Sequence, residues 1–325
     1  MEKNRFGGTG LKVAPLAFGT MTIGDRLDRK AAFAVLDRAF ERGVNFFDCA
    51  NMYNAGEAER IVGAWIKERG LRDQIILSSK VYYQVGDDPL TMGLTPKVVM
   101  REVERSLERL QTDYVDIYFL HQPDHDAPIE LTLRCMDNLV AAGKLRYVGL
   151  SNYAAWQVVQ ALHYCRENGW ARPTIVQSMY NVIVRGLENE MLPMTQHYDQ
   201  GVCVYNPLAG GLLTGKHPVD GEAVKGSRLE SNKGYRARYW DPRQREAASS
   251  LTQLAKESCR TPVELAVRFV MDNPAIHVTL LGATSLEQLD QCLDVFDSNP
   301  LTSDELERCD EIWRELHGPI PAYWR

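Results

Sequence analysis

The sequence predicts an α/β fold: a (β/α)8 TIM-type barrel in a single domain over residues 1–325, with a long loop after the seventh strand and an added C-terminal helix and tail. Three observations predict it. Short apolar runs rich in β-branched and aromatic residues alternate with amphipathic stretches along nearly the whole chain, the pattern left by parallel β-α-β units. Eight such runs are present, at residues 16–19, 44–48, 75–80, 115–121, 147–151, 174–177, 201–205 and 278–282. Six of them in succession close on polar residues, at the strand ends where barrels of this type gather their active sites.

Between these strands the period changes from two to between three and four. Val99, Val103, Leu107 and Leu110 share one face of a helix. Helices are expected in the same way over 31–42, 57–68, 129–142, 154–167, 188–198, 243–259 and 286–296. Thr261, Pro262 and Glu264 read as N-cap, first-position proline and capping-box acid of an extra helix before the last strand. Residues 212–239, with glycines, lysines and arginines, form a loop long enough to be functional or mobile. Residues 302–316 predict a helix, and 318–325 an irregular aromatic tail able to cover a barrel mouth. No linker or short repeat divides the chain.

Composition narrows the function. With 45% hydrophobic and 25% charged residues the chain is ordinary for a globular protein, and a net charge of -6 without a basic stripe argues against nucleic acid as a partner. No apolar run approaches the ~18 residues that span a bilayer, and MEKNRFGGTGLKV has no signal-peptide core. Seven cysteines without a CxxC pair fit a reduced cytoplasm better than a disulfide framework or zinc cage. Oligomeric state is not readable from the sequence.

The strand ends carry the chemistry. In order they present Asp48, Lys80, His121, Ser151 with Asn152, Gln177 and Tyr205. One polar residue at a strand end only marks the exit from the core. A lysine and a carboxylate facing inward on adjacent strands are costly unless paired, and so point to a site. Tyr53, five residues after Asp48, lies where its loop folds the phenol over the mouth to meet Lys80. A free phenol has a pKa near 10, and an ammonium at ~4 Å with an effective dielectric of ~20 favours phenolate by ~4 kcal/mol before competing charges are counted. Asp48 orients that ammonium and weakens its pull. His121 is the candidate to hydrogen-bond a substrate oxygen.

These residues resemble the aldo-keto reductase superfamily, in particular its bacterial and potassium-channel β-subunit-like branch. The likeness rests on LAFGT (16–20), NFFDCANMY (45–53), GEAERIVG (56–63), LSSK (77–80), YVDIYFLHQPD (114–124), GKLRYVGLSNY (143–153), QSMYN (177–181) and YNPLAGGLLTGK (205–216), in that order. It implies reduction of an aldehyde or ketone by hydride from a nicotinamide without a metal. Asp48, Tyr53, Lys80 and His121 form the implied tetrad, with Tyr53 as general acid. It further implies that Ser151, Asn152 and Gln177 bond the carboxamide, Tyr205 stacks on the ring, and Asn206, Leu208 and Gly210 meet the pyrophosphate. Gly282, Thr284, Gln288 and Gln291 belong to the adenosine end, where Gln291 and Cys292 replace the family's usual Glu-Asn pair. No basic residue follows the last strand there. In the channel-subunit branch the loop after the seventh strand supplies cations, and Lys216 and Arg228 stand at that place, which favours NADPH. Gln122 replaces a frequent tryptophan and makes the substrate wall more polar, toward a hydroxylated or sugar-like carbonyl; Met21, Thr22, Met52 and Tyr82 are further pocket candidates.

Two other readings compete. A metal-dependent hydrolase would use His121, Asp124 and His125, but lacks paired histidines on the first strand. A nucleotide-binding regulatory subunit with little turnover would keep the same cofactor residues.

Overall fold

The structure, a computed structural model, describes residues 1–319. A short antiparallel hairpin, β1 (Asn4–Arg5) and β2 (Lys12–Val13), precedes the barrel. Eight parallel strands then close on themselves: β3 (Leu16–Gly19), β4 (Phe46–Asp48), β5 (Ile76–Val81), β6 (Val115–Leu120), β7 (Leu145–Ser151), β8 (Pro173–Met179), β9 (Gly201–Tyr205) and β10 (Val278–Leu281), the last pairing with β3. Outside run α1 (Arg29–Glu41), α2 (Glu57–Arg69), α3 (Pro96–Leu110), α4 (Ile129–Ala141), α5 (Ala155–Asn168) and α6 (Met191–His197). They continue with α7 (Arg228–Ser231), α8 (Lys233–Tyr239), α9 (Pro242–Glu257), α10 (Pro262–Met271), α11 (Leu286–Asp294) and α12 (Ser303–His317). Among the described residues no helix is long and apolar enough to cross a membrane.

Successive strand residues face opposite sides, so each strand serves two cores. Leu16, Phe18, Phe47 and Leu77 face out against the helices, while Ala17, Phe46, Ile76, Ile117, Phe119, Ile175 and Cys203 fill the interior. Counting on by twos from this interior set gives the inward residues of the upper layer: Phe46 leads to Asp48, Ile76 to Ser78 and Lys80, Ile175 to Gln177, and Cys203 to Tyr205. The same alternation that builds the core delivers the polar residues to the mouth.

One element is added to the expected set and three expectations need correction. The polar start forms the β1–β2 hairpin, and it closes the barrel floor by putting Phe6 and Val13, both fully buried, into the interior cluster. Residues 212–239 are not a structureless loop, because Ser227 and Asn232 cap α7 and α8 within it. The helix expected over 188–198 begins only at Met191, after a 3-10 turn at Gly186–Glu188. Thr261 does cap α10, accepting from the Glu264 amide at 3.1 Å, but Glu264 pairs with Arg260 instead of closing the capping box. A capping box forms instead at α12, between Thr302 and Glu305. Most of the aromatic tail, residues 320–325, lies outside the described residues.

One close approach joins α2 to the end of α3. A Cβ on Gly63 of α2 would fall 2.5 Å from the Leu110 carbonyl carbon and 2.6 Å from the Arg109 carbonyl oxygen, backbone atoms that cannot turn aside. Gly63→Ala is therefore expected to cost ~1–3 kcal/mol, read as a Tm lowered by several degrees in thermal unfolding. An unchanged Tm would mean that the two helices separate freely.

Candidate active site

Lys80 and Asp48 are the centre of the site. Asp48 is paired in register with Ser78, and Lys80 lies two residues further along β5 on the same inward face. The Lys80 side chain is fully buried and Asp48 nearly so, and their ammonium and carboxylate form an ion pair through Oδ2. Lys80 Nζ also donates to the Cys49 carbonyl at 2.8 Å and reaches the Tyr53 hydroxyl at 3.4 Å. Burial opposes the ammonium, but Asp48 and Tyr53 outweigh it and hold the Lys80 pKa above the ordinary lysine value.

Tyr53 is aimed by its turn. Asn54 and Ala55 follow it in left-handed backbone, with φ of 49° and 54°, before Gly56 at 89°. Asn54 Nδ2 fixes this turn to the loop after β3 through the carbonyls of Met21 at 3.2 Å and Ile23 at 2.5 Å. Arg109 packs beneath Gly56, where a Cβ would lie 2.7 Å from its Cδ, and bonds Glu59 at 2.6 Å.

The electrostatic outcome corrects the expectation of a lowered phenol pKa. Although the ring as a whole is half-buried, its hydroxyl lies deep among its neighbours, and that desolvation pushes Tyr53 up to about 12. Lys80 pulls it down and Asp48 pushes it further up. Tyr53 thus stays protonated across the neutral range. His121 is held well below the usual histidine value by burial and then by Lys80, so its imidazole is neutral there. Its ring lies 6.1 Å from that of Tyr53, and no group among the described residues pairs with its buried Nδ1.

The other strand ends converge on this cluster. Gln177 Nε2 donates to Asp48 Oδ1 at 3.1 Å, an engagement that a carboxamide role does not require. Ser78 donates to the same oxygen at 2.6 Å. Asn152, left-handed at φ 62°, bonds the His121 carbonyl and Ser151 Oγ through Nδ2, while its Oδ1 accepts from the Tyr205 hydroxyl at 2.6 Å. Gln122, expected to polarise the substrate wall, has its Oε1 engaged by the Tyr83 hydroxyl at 2.5 Å. Asp124, a member of the alternative metal set, accepts from the amides of Leu94 and Asp126 and orders its loop.

A cleft of about 620 Å³ opens between the ends of β9 and β10, a volume suited to a bound small molecule. Asn206, Leu208, Gly210, Lys216, Arg228, Gly282, Thr284, Gln288 and Gln291 all line it. Gly210 and Gly211 have positive φ, and a Cβ on Gly210 would meet the Tyr235 ring at 2.6 Å. Among the described residues neither Lys216 nor Arg228 has an acidic partner. Partial burial, then Arg228, lowers the Lys216 pKa. Gln288 accepts from Thr284 at 2.8 and 3.0 Å, so these two brace each other as well as the cleft. Two residues that the sequence pattern does not mark also shape the cleft: Arg26, which lines it, and Tyr235, which supports its wall. Arg26 spans from the loop after β3 to the Gly226 carbonyl and the Ser231 hydroxyl, and Tyr235 reaches Asn206 Oδ1 at 3.3 Å. Neither has a local signal, because both act across long sequence separations.

A closed parallel barrel with a buried Lys-Asp pair against a tyrosine, beside a cationic cleft, defines an oxidoreductase of the carbonyl-reducing kind. The chain belongs to the aldo/keto reductase family, whose model matches residues 15–314. It is 35% identical to aflatoxin B1 aldehyde reductase member 2 of Mus musculus, over 94% of this chain and 86% of that protein. It is also 35% identical to the uncharacterized oxidoreductase YrpG of Bacillus subtilis, over 99% and 97% of the two chains. A probable voltage-gated potassium channel subunit beta of Arabidopsis thaliana is 35% identical over 93% of each.

Proposed function

We propose that the protein reduces an aldehyde or ketone to an alcohol with NADPH, Tyr53 being the general acid. The observation that carries this reading is the Tyr53 hydroxyl 3.4 Å from the buried Lys80 ammonium, which is itself paired with Asp48. A nicotinamide cofactor held by the residues of the cleft would supply the hydride for the carbonyl carbon. Tyr53 holds the proton that the carbonyl oxygen receives, and Lys80 stabilises the phenolate left behind. His121, neutral, donates an N–H to that oxygen and orients it. Asp48 keeps the ammonium charged and in place.

The residues present fit the cofactor. Gly210 and Gly211 let the backbone come close to a pyrophosphate, and Lys216 with Arg228 offers two uncompensated cations for a 2′-phosphate. Gln291, Gln288, Thr284 and Gly282 would hold the adenosine end. Asn152, Ser151 and the Oε1 of Gln177 would meet the carboxamide, and Tyr205 would offer its aromatic face to the nicotinamide ring. Tyr82, Tyr83, Gln122 and Met21 border the substrate side. With Gln122 partly engaged by Tyr83, selectivity for hydroxylated carbonyls rests on its amide nitrogen. Seven unpaired cysteines agree with a cytoplasmic setting.

NADPH oxidation against a panel of aldehydes, ketones and keto-sugars tests the activity, with turnover separating an enzyme from a nucleotide-binding regulatory subunit. For the phosphate contact, Lys216→Ala is expected to raise the KM for NADPH about tenfold, the scale of one charged hydrogen bond, and to leave that for NADH unchanged. Equal effects on both cofactors would remove the contact.

A further inference from the structure

Asp48 Oδ1 receives two hydrogen bonds that the tetrad does not account for. One comes from the Ser78 hydroxyl at 2.6 Å, the other from Gln177 Nε2 at 3.1 Å. Ser78 is fully buried, and its inward aim follows from strand alternation: Ser79, next to it, points outward and bonds Glu59, whereas Ser78 and Lys80 share the interior face. The donors come from β5 and from β8 across the barrel, so the carboxylate is gripped from both sides while Oδ2 alone meets the ammonium.

We infer that Ser78, acting with Gln177, is a positioning residue whose grip on Asp48 sets how much of the Lys80 charge reaches the Tyr53 hydroxyl. The inference rests on the reading of Tyr53 as the acid. A carboxylate oxygen bonded by two neutral donors has part of its charge drawn away from the ammonium and is denied the rotation that would bring both oxygens onto it. Without the Ser78 hydroxyl, Asp48 neutralises Lys80 more completely, and Tyr53 becomes a weaker acid.

The titratable groups facing this cluster are Cys49 after β4, Cys203 and Tyr205 of β9, His121 after β6 and Tyr235 of α8. Burial raises both thiols and Tyr205 and lowers His121, which leaves these four neutral near pH 7. The Lys80–Asp48 pair is the ionic element on which Ser78 acts.

The test is the pH profile of alcohol oxidation with NADP, a rate that requires Tyr53 as phenolate and so rises with pH below its pKa. Ser78→Ala is expected to displace the rising limb toward alkaline pH by about half a unit or more, so that the rate at a fixed pH falls about three-fold or more. The KM for the cofactor stays unchanged, because Ser78 does not touch it. Ser78→Thr, which keeps the hydroxyl, should restore the wild-type profile. A superimposable profile for Ser78→Ala, a loss as large on the alkaline plateau as on the rising limb, or a threonine variant as displaced as the alanine one would each overturn the inference. Should Ser78→Ala fail to fold, Ser78→Cys, with a weaker donor of similar size, is expected to show a displacement in the same direction, and its absence overturns the inference equally. Failure of the underlying reading looks different: Tyr53→Phe would then retain wild-type rates, whatever Ser78 does.

Discussion

Tyr53→Phe will lower carbonyl reduction by about 10²- to 10⁴-fold, the contribution of a positioned general acid. The phenylalanine ring keeps the packing near His121, whose ring centre is 6.1 Å away, so the fold and cofactor affinity are expected to persist. Single-turnover kinetics with NADPH, alongside cofactor binding followed by fluorescence, measures both. The direction of pH dependence follows from the burial that pushes Tyr53 up to about 12. In reduction the phenol remains protonated at neutral pH and can give up its proton. In alcohol oxidation the phenolate must form first, so that rate climbs with pH until the pKa is passed. Wild-type reduction rates in Tyr53→Phe would remove this residue from the reaction.

Lys80→Met will cost more than activity. Methionine fills a similar volume, but Asp48 then stays buried with only the neutral donors Ser78 and Gln177 on its carboxylate. Breaking a buried pair from one side destabilises a protein by ~3–5 kcal/mol. Denaturant unfolding should show that loss, together with near-complete loss of reduction. The double variant Lys80→Met with Asp48→Asn removes the unpaired charge and should recover most of the stability without recovering activity. If Lys80→Met unfolds like the wild type, the pair is not the internal support described here.

Much of the site was legible before any coordinates because of strand periodicity. Once Phe46, Ile76 and Ile175 are assigned inward, Asp48, Lys80 and Gln177 must face inward too. Ser78 was equally legible by that rule, being two residues before Lys80, but a serine amid LSSK carries no charge to draw attention. The hairpin at the floor was missed because two-residue strands have too few positions to display a period. In residues 212–239, the short helices α7 and α8 start at the side-chain caps Ser227 and Asn232, and their four and seven residues are too few to build a hydrophobic face.

The sequence by itself determined the barrel, the order of its strands and the identities of the polar residues at its mouth. Each of these follows from local periodicity and from where a strand must leave the apolar interior. The tertiary structure alone decided that Tyr53 is driven upward instead of downward, that Gln177 binds Asp48, and that Arg26 reaches Ser231. Those outcomes depend on desolvation and on distances between residues up to 205 positions apart, which the order of residues along a chain does not encode locally.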